Sequence, residues 1–112
     1  MRAGARIEQE VGSWEGVTAH RHRFGGTEFR LGRRELGHLH GDTLADLPFP
    51  RRISEMLVET GRAELHRFRP SSGWVSKPIA GEQDVDEAIE LFRLSYERAR
   101  VAEAARRAGG GD

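Results

Sequence analysis

A chain of 112 residues, 37% hydrophobic and 32% charged, has the length of one domain and the composition for one modest core. No apolar run exceeds the three residues Met56-Leu57-Val58, which excludes a membrane-spanning helix, and zero cysteines excludes disulfides and thiolate metal sites together. Eighteen basic residues balance eighteen acidic ones, without the basic excess of a dedicated nucleic-acid binder, and the segment Met1 to Glu8 has no apolar stretch of a signal peptide, so the expected compartment is the cytoplasm.

In chain order, Ile7, Val11 and Trp14 recur at i, i+4 and i+7 and predict a short amphipathic first helix. After Gly16 the period changes. Breakpoints at Gly25-Gly26 and Arg33-Arg34 divide residues 17 to 41 into three antiparallel strands, about 17–24, 27–32 and 35–40. The segment Asp42 to Pro50, with Pro48 and Pro50, is expected to be irregular. Pro50 suits the first turn of a second helix that runs to about Thr60, buries Ile53, Met56 and Leu57, and stops at Gly61. Two further strands, about 63–69 and 74–80, flank the turn Pro70-Ser71-Ser72-Gly73. Asp84 is expected to cap a third helix with Glu87 completing a capping box. Its apolar stripe is Val85, Ile89, Phe92, Tyr96 and Ala99. Residues 106–112 read as a disordered tail, leaving 1–105 as the domain.

The order α-β-β-β-α-β-β-α predicts an α+β fold, with a mainly antiparallel sheet of about five strands and helices packed on one face.

Two His-x-His pairs, His20/His22 and His38/His40, each place both rings on one side of a strand. With Gly25-Gly26 and Arg33-Arg34 taken as two-residue turns, His22 faces Phe29, His20 faces Leu31, and Phe29 faces His38. Directly opposed residues share a face, so both pairs are expected on the core face with Phe29, Leu31 and Leu36. Arg21, Arg23, Glu28, Arg30 and Glu35 then form the solvated face, with Arg23 across from Glu28. On the later strand His66 and Phe68 share a face, opposite Lys77 and Val75.

Two imidazoles on one strand face suit a metal site with His66 as third ligand and Asp42 or Glu35 in support. The other reading is a purely structural role in which the rings bond to backbone or carboxylates, favoured for His20 and His22 and evenly balanced for His38 and His40. Trp14 and Trp74 read as core or pocket walls. Arg33-Arg34 reads as a solvated turn or an anion-holding group beside a cleft. No Ser-His-Asp pattern, Gly-rich phosphate loop or paired catalytic carboxylates can be placed.

The segment Arg34-Glu35-Leu36-Gly37-His38-Leu39-His40-Gly41 resembles the fungal-luciferase domain family, which includes many small bacterial proteins. The resemblance continues through His66 and Trp74 to Glu90-Leu91-Phe92-Arg93-Leu94-Ser95-Tyr96 and covers roughly residues 17 to 98. The strand order also looks like that of YjbR/MmcQ-like α+β domains. The family resemblance implies an oxygenase without a bound cofactor: fungal luciferases add molecular oxygen to an electron-rich hydroxy-α-pyrone, forming a peroxide that loses carbon dioxide. It implies an aromatic or enolic small-molecule substrate, while the balanced charge and the short apolar runs speak against nucleic acid and membrane as partners. His38, His40 and His66 become the candidate base and donors, with Glu35 and Arg34 orienting them, and with Trp74 and Phe29 lining the pocket. A metal-binding domain using His38, His40 and His66, and a non-catalytic binding module, are the alternatives.

Overall fold

The structure, a computed structural model, describes residues 1–21 and 25–110. Among them the order is α1 (Ala3–Gly12), β1 (Val17–Arg21), β2 (Thr27–Leu31), β3 (Arg34–His40), β4 (Leu44–Pro48), α2 (Arg51–Glu59), β5 (Glu64–Leu65), β6 (Trp74–Pro78) and α3 (Glu82–Gly110). The six strands make one sheet in the order β1-β2-β3-β4-β6-β5, with every neighbouring pair antiparallel. The α+β class is as the sequence predicts, with one strand more than expected. No helix of the described residues is long and apolar enough to cross a membrane.

The added strand is β4, in the segment expected to be irregular. Its prolines do not break it, because each sits where a proline's missing N–H is harmless. Pro48 is the last strand residue, paired with Trp74, and Pro50 is the N-cap of α2. Between them and Gly41, Leu44 to Pro48 pairs with β3 on one side and β6 on the other.

One face of the sheet carries Phe29, Leu39, Ala45, Leu47 and Val75, all buried, and α1 and α3 pack on it. Ile7 and Val11 come from α1; Val85, Ala88, Leu91, Phe92, Tyr96 and Ala99 come from α3. Phe92 meets Phe29 edge-on, ring centroids 5.3 Å apart. On α2, Leu57 joins this core, but Met56 does not: it is largely exposed, and the buried partner of Leu57 on that helix is Ser54. Ser54 turns inward because its hydroxyl donates to the carbonyl of Gly73.

At the start of α3, Asp84 lies inside the helix rather than at its cap. Its carboxylate accepts from the N–H groups of Ala80 (2.8 Å) and Gly81 (3.1 Å), which holds it below the usual carboxylate range. Glu87, expected to close a capping box, lies 3.5 Å from the buried Lys77 instead.

Register decides which residues face the helices, and here the structure corrects the sequence. Across the first hairpin Ala19 opposes Phe29 and His20 opposes Glu28, three residues out from the expected pairing, and an odd shift puts the strand's side chains on the other face. His22, Arg23 and Phe24, and the pairings expected for them, lie outside the described residues, as do Gly111 and Asp112. The second turn is Gly32-Arg33, not Arg33-Arg34, since Leu31 opposes Arg34. The pairing then shifts by one, from Arg30↔Glu35 to Phe29↔Gly37, so Leu36 is the extra residue of a β-bulge. Gly37 permits it: its φ is +149°, and a Cβ there would come within 2.8 Å of the Asp46 carbonyl and 2.9 Å of Phe92.

The consequence is a change of face. Phe29 opposes Gly37, and His38 opposes Glu28 on one side and Asp46 on the other. His20, Glu28, His38, Asp46, Ser76 and Glu64 therefore form one cross-strand row on the face away from α1 and α3. The expectation that His38 and His40 share the core face with Phe29, Leu31 and Leu36 is overturned. So is the reading of Glu28, Arg30 and Glu35 as a separate solvated face, because they stand on the histidine side.

Candidate functional site

On this second face β3 presents His38 and His40, β4 presents Asp46, and β6 presents Ser76 and Trp74. His66 does not pair in a strand with Lys77, as expected, because β5 ends at Leu65. It lies just past that strand, and its ring reaches back over the sheet.

The rings converge on one carboxylate oxygen. Asp46 Oδ2 lies 2.8 Å from His40 Nε2, 3.5 Å from His38 Nε2 and 3.6 Å from His66 Nε2. Its other oxygen, Oδ1, accepts the hydroxyl of Ser76 at 2.6 Å. Asp46 is 3% exposed, and a buried carboxylate survives only with such partners. Burial alone would raise its pKa. Hydrogen bonds from His38, Ser76 and His40, with His66 close by, override burial and bring it down from 3.8 to about 2.

His38 stands between two carboxylates. Its Nδ1 meets Glu35 Oε2 at 2.7 Å while its Nε2 faces Asp46. Burial by itself would lower its pKa. The hydrogen bonds and charges of Asp46 and Glu35 outweigh burial and raise it from 6.5 to about 9. Both ring nitrogens thus carry protons at neutral pH, and His38 is a cation.

His66 is fixed differently. Its Nδ1 accepts the backbone N–H of Phe68 at 3.2 Å, so the proton of the neutral ring belongs on Nε2, the atom directed toward Asp46. The Trp74 ring packs against His38 (5.3 Å between centroids) and His66 (6.4 Å), and His38 meets His40 edge-on at 4.8 Å.

His38, His40, Asp46, His66 and Ser76 floor a cleft of about 740 Å³, walled by Leu44, Leu65, Phe68 and Pro78 among others, while Trp74 lines a neighbouring hollow with Arg51, Ser54 and Gly73. The size and the mixture of apolar walls with a few convergent polar groups are those of a small-molecule pocket. Chemically, the floor offers a fixed cation, an N–H donor, and an Asp–His pair in which the carboxylate sets the ring's orientation. His38, His40 and Asp46 also offer three ligand atoms within 4.8 Å of one another, a set able to hold a metal ion.

Of the residues singled out in the sequence, the structure brings together Glu35, His38, His40, His66 and Trp74. Two it does not. Phe29 is buried on the opposite face against Phe92, and Arg34 lines a separate hollow with Glu97, Arg98 and Val101 of α3. His20 shares the row of His38, but it is exposed at the β1 edge, with its Nε2 2.8 Å from the Thr18 hydroxyl. Trp14 is not part of the site; it packs on Tyr96 at 5.3 Å, with Arg93 over its ring.

Asp46 and Ser76, missed in the sequence, complete the centre. The signal for Asp46 was local. An acid between Ala45 and Leu47, both of them buried, points away from the core if the segment is a strand, and the prolines had argued against a strand.

Compared with protein-family models, the chain matches the Luciferase domain over residues 33–95, more than half its length. The matched span contains Glu35, His38, His40, Asp46, His66, Trp74 and Ser76. No curated protein and no solved structure matches the chain.

Proposed function

The chain belongs to the luciferase-domain family, and on that premise we propose that it is a cofactor-independent oxygenase acting on a small enolic or aromatic compound of hydroxypyrone type. The observation that carries this reading is the convergence of three imidazoles on one buried aspartate at the floor of a ligand-sized cleft.

In this reading His40 is the base. Asp46 holds its Nε2–H, which leaves Nδ1 to take the enol proton, as a carboxylate fixes the tautomer of a catalytic histidine elsewhere. The resulting enolate carbon supplies the electrons for a new C–O bond to molecular oxygen. The proton held by His40 then returns to the distal oxygen, so substrate and O₂ become one hydroperoxide with nothing left over. The His38 cation, oriented by Glu35, and the His66 Nε2–H offset the negative charge that develops on oxygen. Leu44, Leu65 and Phe68 exclude water from the peroxide, and Trp74 packs behind the His38 and His66 rings.

Oxygen consumption with a panel of hydroxypyrones and catechols tests the proposal. Uptake is expected with at least one enolic compound, lowered by a factor of about 10² to 10⁴ in His40→Ala and unchanged in His20→Ala. Uptake indifferent to His40→Ala and Asp46→Asn refutes the roles given. Absence of uptake, with changes at the three histidines altering stability alone, points to a non-catalytic binding module instead.

A further inference from the structure

We propose that His38, His40 and Asp46 also form a binding site for one divalent transition-metal ion, which would regulate the oxygenase chemistry by occupying its base. The site stands on geometry. Ligands about 2.1 Å from a metal lie roughly 3.0 to 3.4 Å from each other, depending on coordination number. Asp46 Oδ2 is 2.8 Å from His40 Nε2 and 3.5 Å from His38 Nε2, and the ligand atoms of all three residues lie within 4.8 Å of one another.

The supporting contacts are those a metal site uses. A ligating imidazole commonly gives its other nitrogen to a carboxylate, and His38 Nδ1 does so to Glu35 at 2.7 Å. A ligating carboxylate commonly has its second oxygen hydrogen-bonded, and Asp46 Oδ1 accepts from Ser76 at 2.6 Å. Oδ2 is thereby left for the ion. Two imidazoles and a carboxylate suit zinc, iron(II) or their neighbours rather than magnesium or calcium. The cleft above leaves further coordination positions open to water or ligand.

His66 is not one of the ligands, although the sequence had suggested it as the third. The ligand atoms that lie within 4.8 Å of one another belong to His38, His40 and Asp46, and His66 is outside that set. Asp46 takes its place.

Occupancy excludes the base function. The metal takes the Nε2 of His40 that Asp46 otherwise holds, and the neutral ring then keeps its one proton on Nδ1, the atom that would have to accept the enol proton. This consequence rests on the oxygenase reading; the metal site itself does not.

The test is calorimetric titration of the full chain, stripped with a chelator, with Zn²⁺ alone, and with Co²⁺ followed by its visible absorption. One saturating site per chain is expected, lost in His40→Gln and in Asp46→Asn. Glu35→Gln is expected to weaken it about 10- to 100-fold, and His66→Gln and His20→Gln to leave the stoichiometry at one. His40 is half exposed, so His40→Gln decides the matter should Asp46→Asn fail to fold. No saturable binding, binding that survives His40→Gln, or binding lost in His20→Gln overturns the site. Zn²⁺ is further expected to suppress oxygen uptake, with recovery on adding chelator. Uptake that instead requires Fe²⁺ supports the metal site and overturns the cofactor-independent reading, so the two fail separately.

Discussion

Asp46→Asn isolates the centre of the cluster. The substitution keeps the shape, and Oδ1 can still accept from Ser76, but the negative charge that three imidazoles face is gone. Asp46 titrates at about 2 in the folded chain, against 3.8 without the fold. At about 1.4 kcal/mol per unit, the ionised carboxylate contributes on the order of 2 kcal/mol to stability near neutral pH. Read from His38, raised from 6.5 to about 9, the interaction gives on the order of 3 kcal/mol. The two figures describe shared contacts and are not summed; the Asp46 figure is used because that group is the more deeply buried. A depressed acid stabilises above its unfolded pKa and loses that contribution as pH falls through its folded one. The gap between parent and variant in urea denaturation, with chelator present, is therefore about 2 kcal/mol at pH 7. It should shrink between pH 4 and 2. In the variant the His38 ring resonance should also titrate at lower pH than in the parent. Equal stability at pH 7, a gap that persists at pH 2, or an unmoved His38 titration would refute the reasoning.

On the alkaline side the sign reverses, because His38 is raised by folding: its contribution is complete below pH 6.5 and is lost as pH rises through about 9. Thermal midpoints measured from pH 6 to 10 in chelator should decline over that window, and Glu35→Gln should move the decline to lower pH. Gly37→Ala places a Cβ within 2.8 Å of the Asp46 carbonyl at a φ of +149° and should cost on the order of 3 kcal/mol in denaturant unfolding. A cost below about 0.5 kcal/mol would contradict the bulge geometry. On α2, Leu57→Ala should cost about 2 to 5 kcal/mol while Met56→Ala stays within about 0.5, the reverse of which would place the apolar stripe one residue away.

The helices were legible because their apolar stripes are long enough to average over errors: Ile7 and Val11 on α1, and Val85, Phe92, Tyr96 and Ala99 on α3, are all buried. Met56 failed because a nine-residue helix leaves the edge of its stripe undefined, and the Gly73 carbonyl drew Ser54 inward instead. Strand β4 failed because proline in a sequence speaks against a strand, whereas its position at the strand's last residue is known only once the partner strand is in place.

From the sequence alone came the α+β class, the antiparallel hairpins, and a short list of side chains that includes Glu35, His38, His40, His66 and Trp74. Those follow from composition, local periodicity and a motif, which need no knowledge of partners. Only the tertiary structure decided which face those histidines occupy, and what they face there. Side chains in a strand alternate with a period of two, so the true turn at Gly32-Arg33 and one bulged residue, Leu36, were enough to move His38 away from Phe29. The same alternation in β4 turned Asp46 out from between Ala45 and Leu47. Pairing with β3 then set it opposite His38, within reach of His40 and His66.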